Sequence, residues 1–339
     1  MKKQAVPRVS VVIPNWNGMD SLGDCLDSLL AQSLPARIIV VENASKDGSL
    51  EFLQSHYPQI ELVIHRKNKG FAGGVNGGIR KSIQDGDDYV ALFNNDAIAD
   101  KDWLKNLVDN LVINTDAGIA TCKLMDQNRQ HLDSTGEEYS VWGLPYPRGR
   151  GEPVSDKYDD RVQIFAASGG ASLYRISMLE QIGLFDEDFF AYYEDVDLSF
   201  RAQLAGWKVR YVPEAVAYHQ IGATSSKIKG FTTYQAMKNL PWVLWKNAPF
   251  TVFIRILPRF TVAYFAFIVR AAWRAQSWAA IHGYYKMLWL LPKKTVQRFK
   301  IQHRRTVPAS YIWASLTPEL PPNARNLRIL FHPIKTLRK

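Results

Sequence analysis

Acid is almost missing from the last third of this chain. From Lys227 to Lys339 there are 20 lysines and arginines and one carboxylate, Glu319. The residues before Lys227 hold 22 basic and 31 acidic side chains, so the net +10 divides into −9 and +19. A basic block joined to an acidic globular region signals a polyanionic partner, either nucleic acid or an anionic membrane. Cysteine is scarce too. Cys25 and Cys122 alone do not make a disulfide framework and suit a reducing compartment. Residues 1–8 carry Lys2, Lys3 and Arg8 with no apolar run ahead of a cleavage site, so no secretory signal peptide is expected. The longest charge-free apolar stretch is 260–269, shorter than the ~20 residues that span a bilayer. There is no internal repeat. Neither G-x-x-x-x-G-K-[ST] nor the G-x-G-x-x-G spacing occurs, which removes the two best-known phosphate-loop signatures.

The 339 residues allow one large domain or two smaller ones. The first hundred alternate. VSVVIP (9–14), RIIVVE (37–42), IELVIH (60–65) and DYVALF (88–93) are short β-branched apolar runs, predicting buried strands. Helices are expected over 20–31, 48–56 and about 74–84, the last following a glycine-rich turn. Strands and helices alternating at this pace imply a parallel sheet covered by helices. Ligands of such sheets bind beyond the carboxyl ends of strands. Three polar clusters fall there: Asn15-Trp16-Asn17, Glu42-Asn43 and Asn94-Asn95-Asp96. Residues 134–162, rich in glycine, proline and charge, read as a long loop. Strands are expected over 164–174 and 208–219.

Residues 184–207, LFDEDFFAYYEDVDLSFRAQLAGW, mix six carboxylates with aromatic rings. Rings gain by burial and carboxylates lose by it, so surfaces rarely combine them this densely. A wall of rings can hold a carboxylate at the raised pKa a general base needs. A plain helix start fits equally, with Asp197 pairing Arg201 at i,i+4. Asp96, just past a strand, is placed to hold a divalent metal that grips a diphosphate, though Asn-Asn-Asp is also turn chemistry. His219 follows an apolar strand, with Gly222, Thr224 and Ser225 suiting an anion pocket. KNKGFAGGVNGG permits close backbone approach to a ligand at a helix start, and is equally a tight turn.

Taken in order, VVIPNWNG, VVENASKDGS, NKGFAGGVNGGI, LFNNDAIAD, GLFDEDFFAYYEDVDLSFRAQLAGW and His219 resemble the family-two glycosyltransferases of the GT-A fold over residues 8–225. The pattern is most similar to the rhamnosyltransferase-like branch, which builds bacterial surface polysaccharides. The resemblance implies a GT-A catalytic domain over 1–225, with a nucleotide-sugar half (about 1–100) and an acceptor half (about 101–225). It implies that Pro14, Asn15 and Asn17 line the nucleoside. Glu42 stands where the family has an aspartate on the base, one methylene longer. Gly70, Gly73 and Asn76 would flank the nucleoside, with Asn95 beside it. Asp96 matches the last acid of the Asp-x-Asp element and Asn94 replaces the first. Asp96 and His219 would therefore serve a divalent cation, Mg²⁺ or Mn²⁺, with one carboxylate. Asp195 matches the catalytic base, and Glu194 its partner in handling the acceptor. The implied reaction is inverting transfer of a sugar, L-rhamnose from dTDP-L-rhamnose, to a polyprenyl-diphosphate-linked glycan. Galactofuranose, glucose or N-acetylglucosamine donors are the alternatives, and an inactive nucleotide-sugar-binding scaffold is the alternative of another class.

Residues 226–305 are helical in pattern, basic and aromatic. Rings on one side and Arg255, Arg259, Arg270 and Arg274 on the other describe an interfacial helix on an anionic leaflet. A peripheral location on the cytoplasmic face of the plasma membrane is therefore expected. The same surface packed on the catalytic core, or forming a homodimer, is the plainer alternative. No nucleic-acid module is present, so nucleic acid is not an expected partner. Residues 306–339, with five prolines, read as an irregular basic tail.

Overall fold

A computed structural model describes residues 7–220 and 228–318, and Pro322. Gly222, Thr224 and Ser225, the boundary at 225–226 and residues 323–339 of the tail lie outside the described residues.

The apolar runs become strands because branched side chains pack well on a pleated surface. β1 (Val9–Asn15), β2 (Arg37–Glu42), β3 (Glu61–Ile64) and β4 (Tyr89–Phe93) pair in parallel in the order β3-β2-β1-β4. Beyond β4, β11 (Ala171–Arg175) runs antiparallel, followed by β6 (Ala117–Asp126), β12 (Lys208–His219) and β10 (Gln163–Ile164). β5 (Ala97–Ala99) joins β12, and β7 (Leu132–Ser134) joins β6. Helices α1 (Met19–Leu30), α2 (Ser49–His56), α3 (Gly70–Gln84), α4 (Trp103–Ile113), α5 (Ile176–Ile182) and α6 (Glu194–Leu204) accompany the sheet. One apolar cluster, around Val11, Leu26 and Leu107, packs on one face; another, around Val12, Ile79 and Tyr174, packs on the other. The expected sheet, mostly parallel in its first half and covered by helices, is the fold observed.

Two expectations need correction here. The glycine-rich stretch is not a turn before the helix but the helix's own first turns, since α3 starts at Gly70. Its glycines serve close packing on the sheet: a β-carbon at Gly78 would lie 2.4 Å from Val12. The 134–162 segment holds a small hairpin, β8 (Glu137–Tyr139) with β9 (Pro145–Pro147). Strands of three residues are too short to show alternation.

The C-terminal region is α7 (Phe231–Asn247), α8 (Phe250–Trp273), α9 (Ser277–His303) and α10 (Ala309–Ala314). The last corrects the expectation of a wholly irregular tail. α7 and α9 run parallel, with Trp242 Nε1 donating to Met287 O (3.2 Å) and Trp245 Nε1 to Thr295 Oγ1 (3.1 Å). A third apolar cluster joins these helices to α6 and the hairpin through Tyr139, Phe165, Phe200, Trp242, Ile256 and Phe260.

Candidate active site

The carboxyl ends of β1, β2, β4 and β12 meet at one edge of the sheet, and the loop before β11 returns to it. At the β1–β2 end, Asn15 sits in register with Glu42. Glu42 Oε2 accepts from Asn15 Nδ2 (2.7 Å) and Oε1 from the Ser45 amide (2.6 Å). Asn95 Nδ2 donates to Asn15 Oδ1 (2.7 Å), and Asn17 Oδ1 accepts the Lys46 amide (2.8 Å). Glu42 is buried, and its extra methylene is absorbed by turning both oxygens into this network. Pro14 packs where a β-carbon at Gly74 would lie 3.2 Å away. Gly73 tolerates no β-carbon because Lys69 would lie 2.5 Å from it. Gly70 (φ +69°) and Asn76 face the acidic segment instead. Asn76 is buried, exchanging hydrogen bonds with Phe185 O (2.8 Å) and Phe185 N (3.0 Å).

Asp96 and His219 come together, as their common edge requires. His219 Nε2 lies 3.1 Å from Asp96 Oδ1 and 3.2 Å from Asn94 Nδ2, while Nδ1 lies 2.8 Å from Asp133 Oδ2. Asp133, on β7, also pairs with Arg150 at 2.6 Å. Burial alone would lower the imidazole's pKa, but hydrogen bonds to Asp133 and Asp96 outweigh it and lift it to about 9. Free of metal, His219 is therefore a cation at neutral pH. Among the described residues, no set of three His, Cys, Asp or Glu side chains is arranged to hold a metal. The donors fit a smaller task. One carboxylate and one ring nitrogen converge, and Asp133 fixes the ring from behind, as a ligating histidine requires. Substrate phosphates and water would complete such a shell.

Asp195 stands at the first turn of α6. Its Oδ2 accepts the Gly169 amide (2.9 Å) and its Oδ1 the Val196 amide (2.8 Å). A β-carbon at Gly169 would crowd the Phe71 ring at 3.1 Å and touch Asp195 Cβ at 3.4 Å. Asp195 makes no ion pair among the described residues. Burial raises its pKa above the ordinary carboxylate value despite the two amides. Glu194 is buried, its Oε2 has no hydrogen-bond partner among the described residues, and burial followed by the Asp195 charge drives its pKa well up. A carboxylate aimed at the sheet edge with no cation attached is able to take a proton there.

The other acids of the segment have a different fate. Asp197 pairs with Arg201 (3.0 Å) and Lys246 (2.9 Å), Asp186 with Lys246 (2.6 Å) and Lys294 (2.7 Å), and Asp188 with Lys293 and Lys294 (both 2.7 Å). The expected Asp197–Arg201 helix pair is present. The basic block, expected to need an outside polyanion, answers part of its charge inside the chain. Lys238, Lys246 and Lys294 are all buried.

α8 and α9 do present apolar side chains outward, among them Phe250, Phe265, Trp278, Tyr285, Trp289 and Phe299, each at least 64% exposed. By length and composition α8 also meets the requirement for a membrane-crossing helix. The ten-residue charge-free run understated it, because scattered arginines do not interrupt an apolar helix.

Sequence reasoning missed Asp133, Arg150 and Gly169. Arg150 lies in the segment taken for a loop and Asp133 directly before it, where nothing marks an acid as facing a histidine 86 residues away. Gly169-Gly170 was a legible signal, a glycine pair directly before a strand.

A family model described as "Glycosyltransferase like family 2" matches residues 7–237. The chain belongs to this family. Among curated proteins, this glycosyltransferase is 28% identical over 212 residues to the N-acetylglucosaminyl-diphospho-decaprenol L-rhamnosyltransferase of Mycobacterium tuberculosis, covering 56% of the chain and 68% of the relative. It is 24% identical over 229 residues to the poly-beta-1,6-N-acetyl-D-glucosamine synthase of Staphylococcus epidermidis, covering 65% of the chain but only 52% of that relative. In fold it is similar to a mannosyltransferase of Pyrobaculum calidifontis solved with GDP-Man and Mn²⁺. That match has a TM-score of 0.52, 18% identity and coverage of 88% and 84% of the two chains. The fold is thus that of the GT-A glycosyltransferases.

Proposed function

We propose that this glycosyltransferase moves L-rhamnose from dTDP-L-rhamnose to a polyprenyl-diphosphate-linked glycan, with inversion, at the cytoplasmic face of the plasma membrane. The observation that carries the chemistry is Asp195, the one acid of the α6 start that is hydrogen-bonded yet unpaired, on the same edge as Asp96 and His219. The M. tuberculosis relative supports the sugar and the lipid-linked acceptor.

The donor's nucleoside lies along Pro14, Asn15, Asn17 and Glu42, with Asn95 and Gly73 beside it, while Gly70 and Asn76 join α3 to the acidic segment. Asp96 and His219 would hold the cation, Mg²⁺ or Mn²⁺, which would offset negative charge on the leaving diphosphate. His219 would give up a proton to bind it. Arg150, half-exposed beside Asp133, adds positive charge to the diphosphate side. Asp195 takes the proton of the attacking acceptor hydroxyl. Attack comes from the face opposite the diphosphate, which inverts the anomeric centre. Glu194, whose protonated form burial favours, steadies the acceptor.

The exposed apolar faces of α8 and α9 seat the enzyme on an anionic leaflet, where its lipid-linked acceptor resides. One side of α8 is packed on the protein through Val252, Ile256, Phe260 and Ala263, which favours lying along the membrane surface over crossing it. Salt-reversible pelleting with anionic vesicles is the expected behaviour; absence of binding at low salt contradicts it.

The test of function is a donor screen reading released nucleoside diphosphate, with and without Mg²⁺ or Mn²⁺. Turnover of dTDP-L-rhamnose, stimulated by metal and acceptor, is expected. Preference for galactofuranose, glucose or N-acetylglucosamine donors revises the sugar alone. No turnover or binding of any nucleotide sugar favours a non-catalytic scaffold.

A further inference from the structure

The five residues between the acidic turn and the catalytic pair have an unusual backbone. Phe190, Tyr192 and Tyr193 all have positive φ, at 66°, 69° and 71°. Side chains with a β-carbon rarely adopt this conformation, and three in four residues must be held by their surroundings. At Phe190 the angles φ 66° and ψ −62°, with the Ala191 amide donating to Phe189 O (2.7 Å), form a γ-turn of the rare, strained kind. Tyr193 then opens α6, with Glu194 and Asp195 as the next two residues.

An inventory of the carbonyls shows what holds this segment. Lys238 Nζ donates to Asp188 O (3.0 Å) and Phe189 O (3.1 Å). Asn239 Nδ2 lies within hydrogen-bond distance of Phe189 O (3.1 Å), Ala191 O (3.0 Å) and Tyr192 O (2.8 Å). Phe190 O, pointing the other way, accepts the Ala72 amide of α3 (3.2 Å). Gly70 permits that approach, for a β-carbon there would lie 2.2 Å from Phe190 O. Each carbonyl from 188 to 192 is thereby occupied. Four of the five are occupied by two adjacent side chains of α7.

Those side chains belong to one face of α7. Lys238, Trp242 and Lys246 follow at i, i+4 and i+8, with Asn239 and Asn247 beside them. Trp242 packs edge-on against Phe189, with ring centroids 5.7 Å apart. Lys246 and Asn247 hold Asp197 one turn into α6, at 2.9 and 2.8 Å. Asn239 is fully buried and its Oδ1 has no donor among the described residues. A buried amide with an orphaned oxygen is kept for its N–H groups, because an apolar side chain of that shape would spare the oxygen but leave Ala191 O and Tyr192 O without their donor.

We propose that Asn239 and Lys238 are positioning residues for the catalytic carboxylates: α7 clamps residues 188–192 in a strained form and thereby sets Glu194 and Asp195 at the sheet edge. α7 is then part of the active site and not only the root of the membrane-facing helices. This rests on the assignment of Asp195 as base.

The test uses the full chain. Asn239→Asp keeps the shape and removes the donors. kcat is expected to fall about 100-fold, the scale of a small misplacement of a reacting group, while nucleotide affinity and donor KM stay within about twofold. Lys238→Met is expected to lower kcat at least about tenfold, and Lys238→Arg to restore most of it. If Asn239→Asp does not fold, the Lys238 pair decides. A folded Asn239→Asp or Lys238→Met enzyme with kcat within threefold of wild type overturns the clamp, as does a kcat loss matched by equal loss of nucleotide affinity. Asp195→Asn is measured alongside. If it is inactive and the clamp variants are not, the clamp alone is wrong; if it transfers sugar at the wild-type rate, the base assignment fails and the clamp with it.

Discussion

Asp195 and Asp197 lie two residues apart on one helix, and their surroundings are opposite. Asp197 is buried among Arg201, Lys246 and Asn247, whose Nδ2 donates at 2.8 Å. Burial would raise its pKa, yet Lys246 and Arg201 hold it below the ordinary value. Among the described residues Asp195 accepts from two backbone amides and forms no ion pair, and burial wins over these amides and the Arg150 charge. Charge pairing thus divides the acidic segment. The half facing α7 and α9 is ionised and structural, while the half facing the sheet edge is short of cations and able to exchange a proton. Acidity alone does not mark a catalytic residue here; the absence of a cation does.

This contrast can be broken in order of severity. Asp197→Asn leaves Arg201 buried without its carboxylate and Lys246 with Asp186 alone, and should destabilise the protein by about 3–5 kcal/mol. Because the folded pKa of Asp197 is depressed, its contribution is fully present above the ordinary carboxylate value. It is lost as pH falls through the lower folded one. Thermal unfolding of wild type and variant across that range should show the gap closing at acid pH. A variant as stable as wild type at pH 7 would contradict the structural role.

Asp133→Asn should come next. It frees the His219 ring from behind and is expected to weaken Mn²⁺ affinity about 10–100-fold, measured by titration in the presence of nucleoside diphosphate. Unchanged affinity would separate His219 from the metal.

Glu194→Gln should matter least, under about tenfold in kcat, because burial favours the neutral form of Glu194 and the amide copies its shape. The acid limb of kcat/KM belongs to the coupled pair. With both pKa values raised, it should lie above the ordinary carboxylate range in wild type. A limb at the ordinary value would mean that the base is solvated.

Much of this was legible before the structure. The alternation of strands placed Asn15, Glu42 and Asp96 at one edge, because parallel strands share a carboxyl end. The pairing of Asp96 with His219 followed from resemblance and not from any pattern within the chain. What could not be read was long-range. Asp133 lay in a segment whose strands are three residues long. The basic C-terminal block looked wholly outward-facing, since nothing local says that Lys246 and Lys294 turn inward to Asp186. The KN pairs at 238–239 and 246–247 were a visible trace of one functional helix face, spaced eight residues apart, and only packing gives them meaning.

The central claim is that Asp195, a carboxylate with no ion pair among the described residues, accepts the proton of the attacking hydroxyl. Single-turnover transfer from donor bound to Asp195→Asn, with nucleotide affinity measured on the same sample, tests it most directly. The rate should fall by about 10²–10⁴-fold with affinity unchanged. A rate within tenfold of wild type would contradict the account.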